Sequence, residues 1–208
     1  IGFCLVGSEM CIRDRNLRVV RRANFVAFVS TGERTAEAAA VYAETHAEWT
    51  GLRDYRSNEQ EGAWLVGRPA ELRYFGAPKS DVEGAADVLK ATYTRPYIAH
   101  ASMGPSAGVA RYDGDILTVW SHGQGMHPLR KNVAEILDLD PDKVVCHHRH
   151  GPGCYGHNGA DDAAADAAIV ALELPGETIR LLWRREEEFA YEPVSPAMSV
   201  TVKVAVDA

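Results

Sequence analysis

The spacing of apolar residues in the first fifty positions predicts two strands followed by a helix. Residues 17–29 are rich in Val and Phe, and a polar break at residues 21–24 is typical of a turn between two short strands. Residues 34–49 carry Ala, Val, Tyr and Trp at helical spacing. Thr31 or Thr35 is the predicted N-cap of this helix, because a threonine hydroxyl can accept a hydrogen bond from a backbone N–H of the first turn.

Glycine and proline interrupt the next segment, residues 50–80, and predict loops there. A short apolar run at residues 63–66 predicts one strand within these loops. Asp81 then begins a predicted helix that ends at Lys90. Together these elements predict a small α+β unit that ends near residue 90.

The pattern changes after residue 91 and predicts a hairpin followed by a helix. Residues 92–101 are predicted to be extended, and residues 108–112 and 116–120 form two strand-like runs separated by the turn sequence Asp113-Gly114-Asp115. Residues 128–139 follow with a proline in the first turn and apolar residues on one face, which is typical of an amphipathic helix.

The last sixty residues continue this alternation. Strands are predicted at residues 143–147 and 178–183, with a helix at residues 160–172 between them, and residues 199–208 alternate Val with polar residues like a further strand. The order of strand, strand, helix, strand, loop, helix and strand indicates a mixed α/β layer around a sheet. The predicted fold class is therefore α+β, or mixed α/β.

Composition excludes several classes of protein. The formal net charge of −7 and the lack of a basic stripe argue against a nucleic-acid-binding surface, which needs clustered Lys and Arg. No apolar run approaches the roughly 20 residues of a membrane-spanning helix. The four cysteines are too few for a disulfide framework in a chain of 208 residues.

The two ends of the sequence look truncated. Residues 1–15 contain LVGSEMCIRDR, which resembles translated sequencing-adaptor read-through, and we expect this segment to be an artefact outside the fold and the function. The alternative is a short apolar strand followed by a charged turn. Residues 199–208 end abruptly within a strand-like pattern, so we expect the chain to be a fragment.

A glycine-rich loop, HHRHGPGCYGHNGADD at residues 147–162, carries the densest chemical signal. Glycine can adopt positive φ and lets a ligand approach the backbone closely, while the N-terminus of the following helix favours an anion. The loop therefore suits a phosphate or a pterin. Its sequence matches neither the P-loop nor the dinucleotide-binding fingerprint. Its glycines are Gly151, Gly153, Gly156 and Gly159.

Other interpretations of the same loop remain open. Asp161 and Asp162 begin the predicted helix, where carboxylates ordinarily act as caps. Cys154 lies before a helix N-terminus, which can activate a thiol, but no base is identifiable. A zinc site is the third alternative, although the spacing lacks the usual Cys-x-x-Cys pair. Its candidate ligands are Cys146, His147, His148, His150, Cys154 and His157.

Three stretches of this sequence resemble the xanthine dehydrogenase and aldehyde oxidase family of molybdenum hydroxylases. They are YTRPYIAHASMGPSAGVARYDGDILTVWSHGQGMHPLR, VVCHHRHGPGCYGHNGADDAAADAAIVALEL and IRLLWRREEEF, and they are most similar to the large subunits of the isoquinoline 1-oxidoreductase and nicotinate dehydrogenase subgroup. The resemblance is strong over residues 91–198 and looser over 17–90. It implies that residues 16–90 are the C-terminal part of a hammerhead-like domain and that residues 91–208 are the truncated first molybdopterin-binding domain.

The resemblance also implies roles for individual residues. Gln124 matches the glutamine that hydrogen-bonds the oxo group of the metal centre. Gly153, Cys154, Tyr155 and Gly156 match a turn packed against the cofactor, with Tyr155 at the border of the substrate pocket. The ordinary alternative is that Gln124 is a turn residue and Tyr155 a core residue.

A second segment of the expected pocket is HASMGPSA. His100 and Met103 match substrate-pocket positions of the family, whereas Gly104 replaces a glutamate, which puts an acidic role at this position in doubt. Arg130 is either a pocket cation or an ordinary solvated residue. Residues 186–188 are interpreted as a solvated run of glutamates after a strand.

The activity that the resemblance implies is hydroxylation of an N-heteroaromatic compound or an aldehyde. The expected cofactors are molybdenum bound to molybdopterin cytosine dinucleotide, and [2Fe-2S] clusters on a small partner subunit. The family's catalytic glutamate is expected beyond this fragment, so we expect no catalytic residue and no turnover from the fragment alone. The alternatives are a non-catalytic module of the same fold or the zinc-binding protein. Both a cytoplasmic and a periplasmic location remain open.

Overall fold

The computed structural model describes residues 4–5, 16–48, 62–76, 88–156 and 162–205. The fold is α+β, as predicted, with fifteen strands and helices and one 3₁₀ turn among the described residues. These elements are β1 Cys4–Leu5, β2 Leu17–Arg22, β3 Phe25–Ser30, α1 Glu33–His46, β4 Ala47–Glu48, α2 Gly62–Val66, β5 Val88–Arg95, β6 Ala107–Tyr112, β7 Leu117–Ser121, α3 Met126–Leu137, the 3₁₀ turn Pro141–Lys143, β8 Val144–His148, α4 Asp162–Glu173, β9 Thr178–Leu182, α5 Arg185–Tyr191 and β10 Met198–Ala205.

A four-stranded sheet with the order β8-β7-β6-β9 is the centre of the structure. β6 is antiparallel to both β7 and β9, while β7 and β8 run parallel. The β6–β7 hairpin confirms the predicted turn, because Asp113 Oδ1 accepts hydrogen bonds from the N–H groups of Asp115 and Ile116 and Gly114 adopts a φ of +103°. The carboxyl ends of β7 and β8 therefore lie side by side at one edge of the sheet.

Helices α3 and α4 supply most of the core that covers this sheet. α4 buries alanines almost completely, and this small surface lets its backbone approach β6 closely. The closest approach is at Gly108, where a β-carbon would lie 2.6 Å from Ala164 Cα. α3 turns Leu129, Val133 and Leu137 toward the core, which confirms the predicted amphipathic helix. The sheet and these helices form a rigid base for the loops at its edge.

An N-terminal unit consists of the β2–β3 hairpin and helix α1. The two predicted strands and the helix are confirmed, but the predicted N-cap is wrong. Gly32 is the N-cap and makes no side-chain cap hydrogen bond; its carbonyl accepts from the N–H groups of Thr35 and Ala36. Three arginine–glutamate pairs connect this unit to β9, to α5 and to the residues beside them: Arg18–Glu177, Arg180–Glu33 and Arg184–Glu44.

The long hairpin of β5 and β10 corrects one prediction. Val88–Lys90, predicted as the end of a helix, are the first residues of β5 and pair with residues 203–205 of β10. Pairing with a strand more than one hundred residues away overrides the local preference here. Residues 81–87 lie outside the described residues. β5 also spans the predicted domain division at residues 90 and 91, which stays a prediction.

A second correction concerns residues 63–66, predicted as a strand and found in helix α2. An apolar run of four residues carries no periodicity that separates helix from strand.

At the N-terminus, Cys4 and Leu5 pair antiparallel with Glu48 and Ala47. The assignment of residues 1–15 as an artefact stays a prediction. A membrane-crossing helix would need more length and apolarity than any helix in the described ranges has.

Candidate functional site

Two loops leave the same edge of the sheet because β7 and β8 are parallel neighbours. Ser121 and His148 are partners in register at the carboxyl ends of these strands. The chain after β7 turns sharply, since the buried Ser121 Oγ accepts a hydrogen bond of 2.9 Å from the Gly123 N–H. The Arg149 N–H donates to the Ser121 carbonyl at 2.7 Å and ties the second loop to the first. The turn that carries Gln124 and the glycine-rich loop therefore begin side by side.

The glycine-rich loop contacts two other segments at positions that lack a side chain. At Gly151 a β-carbon would lie 2.4 Å from His122 Cβ, and at Gly156 it would lie 2.8 Å from His100 Nε2. At Gly104 a β-carbon would lie 2.9 Å from the Pro152 side chain. Real β-carbons essentially never show such distances, so a side chain at any of these three glycines would force the neighbouring segment or side chain to move. The loop at residues 151–156 is thus fixed against both the turn after β7 and residues 100–104.

The residues predicted to contact the cofactor lie on these two loops. Gln124, Tyr155 and Gly156 are exposed, whereas Gly153 and Cys154 are half-buried. Gly153 adopts a φ of +115°, and the Tyr155 ring lies against it, since a β-carbon there would be 3.1 Å from Tyr155 Oη. The role of these residues toward a cofactor stays a prediction.

In the second predicted pocket segment, HASMGPSA, His100 is held by contacts within the protein, whereas the Met103 side chain is exposed. His100 is half-buried, and its Nδ1 lies 2.9 Å from the Pro193 carbonyl, which can only accept. Nδ1 must therefore carry a proton. The structure brings His100 against the glycine-rich loop, whereas the Met103 side chain is 83% exposed. Arg130 lies on α3 and binds the Pro141 carbonyl and Asp142, each at 2.7 Å, which places it in the contact with the 3₁₀ turn.

His122 is a site residue that the sequence interpretation missed. Its Nε2 accepts a hydrogen bond of 3.1 Å from the Ala107 N–H, which requires an unprotonated nitrogen. Burial lowers the pKa of His122 from its ordinary value, the charge of Glu188 opposes this shift, and His148 adds to it. A neutral imidazole therefore lies beneath the loop. Its position two residues after the predicted strand 116–120 was the available signal.

The interpretation of residues 186–188 as a solvated run is wrong for Glu188, which is completely buried on α5. Its Oε1 accepts a hydrogen bond of 2.9 Å from Ser102 Oγ, and its Oε2 accepts one of 2.9 Å from Arg185 Nη1. Glu192, at the C-cap of α5, is 7% exposed and its Oε1 accepts from the His100 N–H at 3.2 Å. The i, i+4 spacing of the two glutamates, which places them on one helix face, was the sequence signal.

The histidines and cysteines of this region do not assemble into a metal site within the ranges that the structure describes. No group of three or more His, Cys, Asp or Glu side chains there is arranged to hold a metal ion. The rings of His148 and His150 meet edge to face, with centroids 6.0 Å apart. His157, Gly159 and Asp161 lie outside the described residues, and Asp162 is the first residue of α4.

The fold is an α+β domain in which the loops after two parallel strands meet a third segment, an arrangement that forms ligand sites in α/β proteins. The family model for the molybdopterin cofactor-binding domain matches residues 66–208, more than two thirds of the chain. The chain belongs to this family, and its relatives are subunits of molybdenum hydroxylases.

Individual relatives agree with this membership. A nicotinate dehydrogenase subunit of Pseudomonas putida is 34% identical over 136 residues, which cover 62% of this chain and 11% of the relative. The beta subunit of isoquinoline 1-oxidoreductase from Brevundimonas diminuta is 31% identical over 74 residues, 36% of this chain and 9% of the relative. The solved aldehyde oxidoreductase of Desulfovibrio gigas shares the fold with a TM-score of 0.65 at 20% identity, over 86% of this chain and 20% of that one. The chain thus spans about a tenth of the length of these two curated relatives.

Proposed function

We propose that this chain forms one wall of the cofactor and substrate site of a molybdenum hydroxylase. The observation that carries the proposal is the meeting of the Gln124 turn and the glycine-rich loop at the carboxyl ends of two parallel strands. Ligands of α/β proteins bind at such an edge, because the strands end there and the loops that follow them form a crevice. The proposed cofactor is molybdenum on molybdopterin cytosine dinucleotide.

The residues present fit a large, polar and anionic group. Gly151 and Gly156 are exposed, so backbone of the loop is accessible to a ligand. The exposed Gln124 side chain, on the turn that begins next to this loop, offers amide donors. Neutral His122 adds no charge under the loop. These features favour binding through N–H dipoles, which suits a pterin and its phosphates.

When bound, the molybdenum group supplies a two-electron redox centre at which oxygen derived from water is transferred to carbon. The role of this chain is to orient that group and the substrate beside it. Tyr155, which is 54% exposed, presents its ring next to the loop and is the residue we assign to the substrate border. The general base and the iron–sulfur clusters that receive the electrons are proposed to lie outside this chain, the clusters on a small partner subunit.

The proposed substrate is an aromatic N-heterocycle, with an aldehyde as the second class. Support comes from the relatives, whose names specify nicotinate and isoquinoline. An exposed tyrosine within the loop suits a flat aromatic ring, because offset stacking favours such pairs. Turnover of nicotinate, isoquinoline and an aromatic aldehyde by the complete protein distinguishes the two classes.

The test of cofactor binding compares two substitutions with the same backbone strain. Gly156→Ala and Gly114→Ala both force alanine into a left-handed conformation, at φ of +120° and +103°. A β-carbon at Gly156 would also strike His100, whereas nothing lies within 4 Å of one at Gly114. Molybdenum and cytidine monophosphate released by acid hydrolysis are measured per mole of complete protein, expressed with the cofactor synthesis machinery.

We expect Gly114→Ala to keep the wild-type content and Gly156→Ala to lose most of it. Equal loading of both variants would contradict the role of the loop. Stoichiometric zinc without molybdenum in the wild-type protein would contradict the proposal as a whole. The nucleotide that is released identifies the form of the cofactor.

A further inference from the structure

Ala101 has a backbone conformation that the local sequence does not favour. Its φ is +48°, in the left-handed region that residues with a β-carbon rarely adopt. It stands between His100 and Ser102, in the segment that contacts the glycine-rich loop. A strained residue persists only where its surroundings hold it in place.

Two buried glutamates hold the residues on either side of Ala101. Glu188 accepts a hydrogen bond from Ser102 Oγ at 2.9 Å, and Glu192 accepts one from the His100 backbone N–H at 3.2 Å. The two carboxylates belong to successive turns at the end of α5. We call Glu188 and Glu192, with their contacts to Ser102 and His100, the glutamate clamp.

Arg185 strengthens the clamp on the side of Ser102. Its guanidinium donates to Glu188 Oε2 at 2.9 Å and to the Met103 carbonyl at 3.1 Å. Ser102 Oγ also lies 2.9 Å from the Gly104 carbonyl, so its single proton lies between two acceptors. Hydrogen bonds to charged partners are stronger than neutral ones, which is why a carboxylate suits this position.

The clamped segment determines where the glycine-rich loop can lie. The His100 ring contacts Gly156 at one end of the loop, and Gly104 contacts Pro152 near the other. Both contacts are too close to admit a β-carbon, so a shift of residues 100–104 would open or displace the loop. Glu188 therefore acts on the loop through Ser102 and Gly104.

We propose that Glu188 and Glu192 are positioning residues that hold His100–Gly104 in a strained turn and thereby keep the glycine-rich loop in its binding conformation. The nature of the ligand rests on the function proposed above, whereas the action of the clamp on the loop does not. Glu188 is the stronger test position, because both of its oxygens accept hydrogen bonds. A glutamine there would turn its amide nitrogen toward one of the two donors.

The test is hydrogen exchange of the complete protein, in peptides covering residues 98–106 and 149–156. Glu188→Gln is compared with Glu186→Gln, a matched change at an exposed position of the same helix. We expect exchange to accelerate about tenfold or more in both peptides for Glu188→Gln, without change in α3 or β6. Glu186→Gln should match the wild type.

Two further variants separate positioning from general stability. Ser102→Ala removes the same contact without altering the buried charge, and it should accelerate exchange in the same two peptides. Ala101→Gly relieves the left-handed strain, so in the Glu188→Gln background it should slow exchange back toward wild type. Acceleration spread over the whole sheet, or a double variant that exchanges faster than Glu188→Gln, would overturn the proposal.

Molybdenum content measured on the same samples distinguishes this inference from the proposed function. If the wild-type protein contains no molybdenum and Glu188→Gln still accelerates exchange in both peptides, the positioning role of Glu188 is supported and the proposed function is contradicted. Equal molybdenum content in Glu188→Gln and wild type, with a loosened loop in the variant, would refute the claim that the clamp sets the binding conformation. Loss of molybdenum together with a loosened loop supports both.

Discussion

Replacing Gly151 with alanine tests the contact between the glycine-rich loop and the turn after β7. The new β-carbon would lie 2.4 Å from His122 Cβ, whereas carbon atoms in contact are about 3.5–4.0 Å apart. Because His122 Cβ is fixed to the backbone beside β7, a change of rotamer cannot relieve this clash. The loop and the turn must therefore separate by roughly 1 Å.

The cost of this separation has two parts. Overpacking typically costs about 1–3 kcal/mol. Displacement of His122 also weakens the hydrogen bond from the Ala107 N–H, which contributes about 0.5–1.5 kcal/mol. We therefore expect Gly151→Ala to lower the free energy of unfolding by about 1.5–4.5 kcal/mol.

Urea denaturation measures this loss, and Gly32→Ala is the control. At Gly32 a β-carbon would make an ordinary contact of 3.4 Å with Thr35 Oγ1, so the cost there is only the exchange of Gly for the less favoured Ala at an N-cap, about 0.5–1 kcal/mol. The amide of Ala107 should also exchange faster in Gly151→Ala than in the control. A loss of stability no larger than that of Gly32→Ala, or an unchanged Ala107 amide, would refute the contact.

Three other changes follow from the same structure. Burial lowers the pKa of His122 from its ordinary value, so as the pH falls the unfolded chain binds a proton that the folded chain does not. The free energy of unfolding of the wild type, relative to that of His122→Gln, should therefore fall as the pH is lowered from about 7.5 to about 5. Urea titration at each pH measures this difference. A parallel pH dependence of the two proteins would contradict the neutral imidazole. Gly108→Ala places a β-carbon 2.6 Å from Ala164 Cα and should lower the free energy of unfolding by about 1–3 kcal/mol; an unchanged urea midpoint would show that α4 can move freely. Asp138→Gly should raise the free energy of unfolding by about 0.5–1 kcal/mol, since Asp138 ends α3 at a φ of +56°, and a destabilised variant would show that its side chain matters more than its backbone.

Elements with a local signal could be predicted from the sequence. The turn Asp113-Gly114-Asp115 carries its own hydrogen-bonding side chain and its own glycine, so the β6–β7 hairpin follows from a few neighbouring residues. The amphipathic pattern of α3 is local in the same sense. β5 has no such signal, because its partner β10 lies more than one hundred residues away and its side chains are exposed along the whole strand.

The candidate site likewise contains residues with a local sequence signal and residues whose role depends on distant parts of the chain. The loop at residues 151–156 was singled out because its glycines are visible in the sequence, whereas Gln124 was singled out only through the resemblance to the family, and the role of both toward a cofactor stays a prediction. Glu188 was missed because burial of a carboxylate depends on Ser102, eighty-six residues earlier in the chain. Charge runs are usually solvated, and the exception becomes visible only when the helix packs against the segment it supports.

Two glycines of the loop, Gly151 and Gly156, allow close packing of the loop against other segments of the protein. From the sequence, the loop glycines were predicted to let a ligand approach the backbone. In the structure, Gly151 and Gly156 are packed closely against His122 and His100. A loop that is fixed by protein contacts on one face can present its peptide groups on the other face without ordering them at each binding event. Preorganisation of this kind lowers the entropic cost of binding. The affinity of the site should therefore depend as much on the segments behind the loop as on the residues that face the ligand.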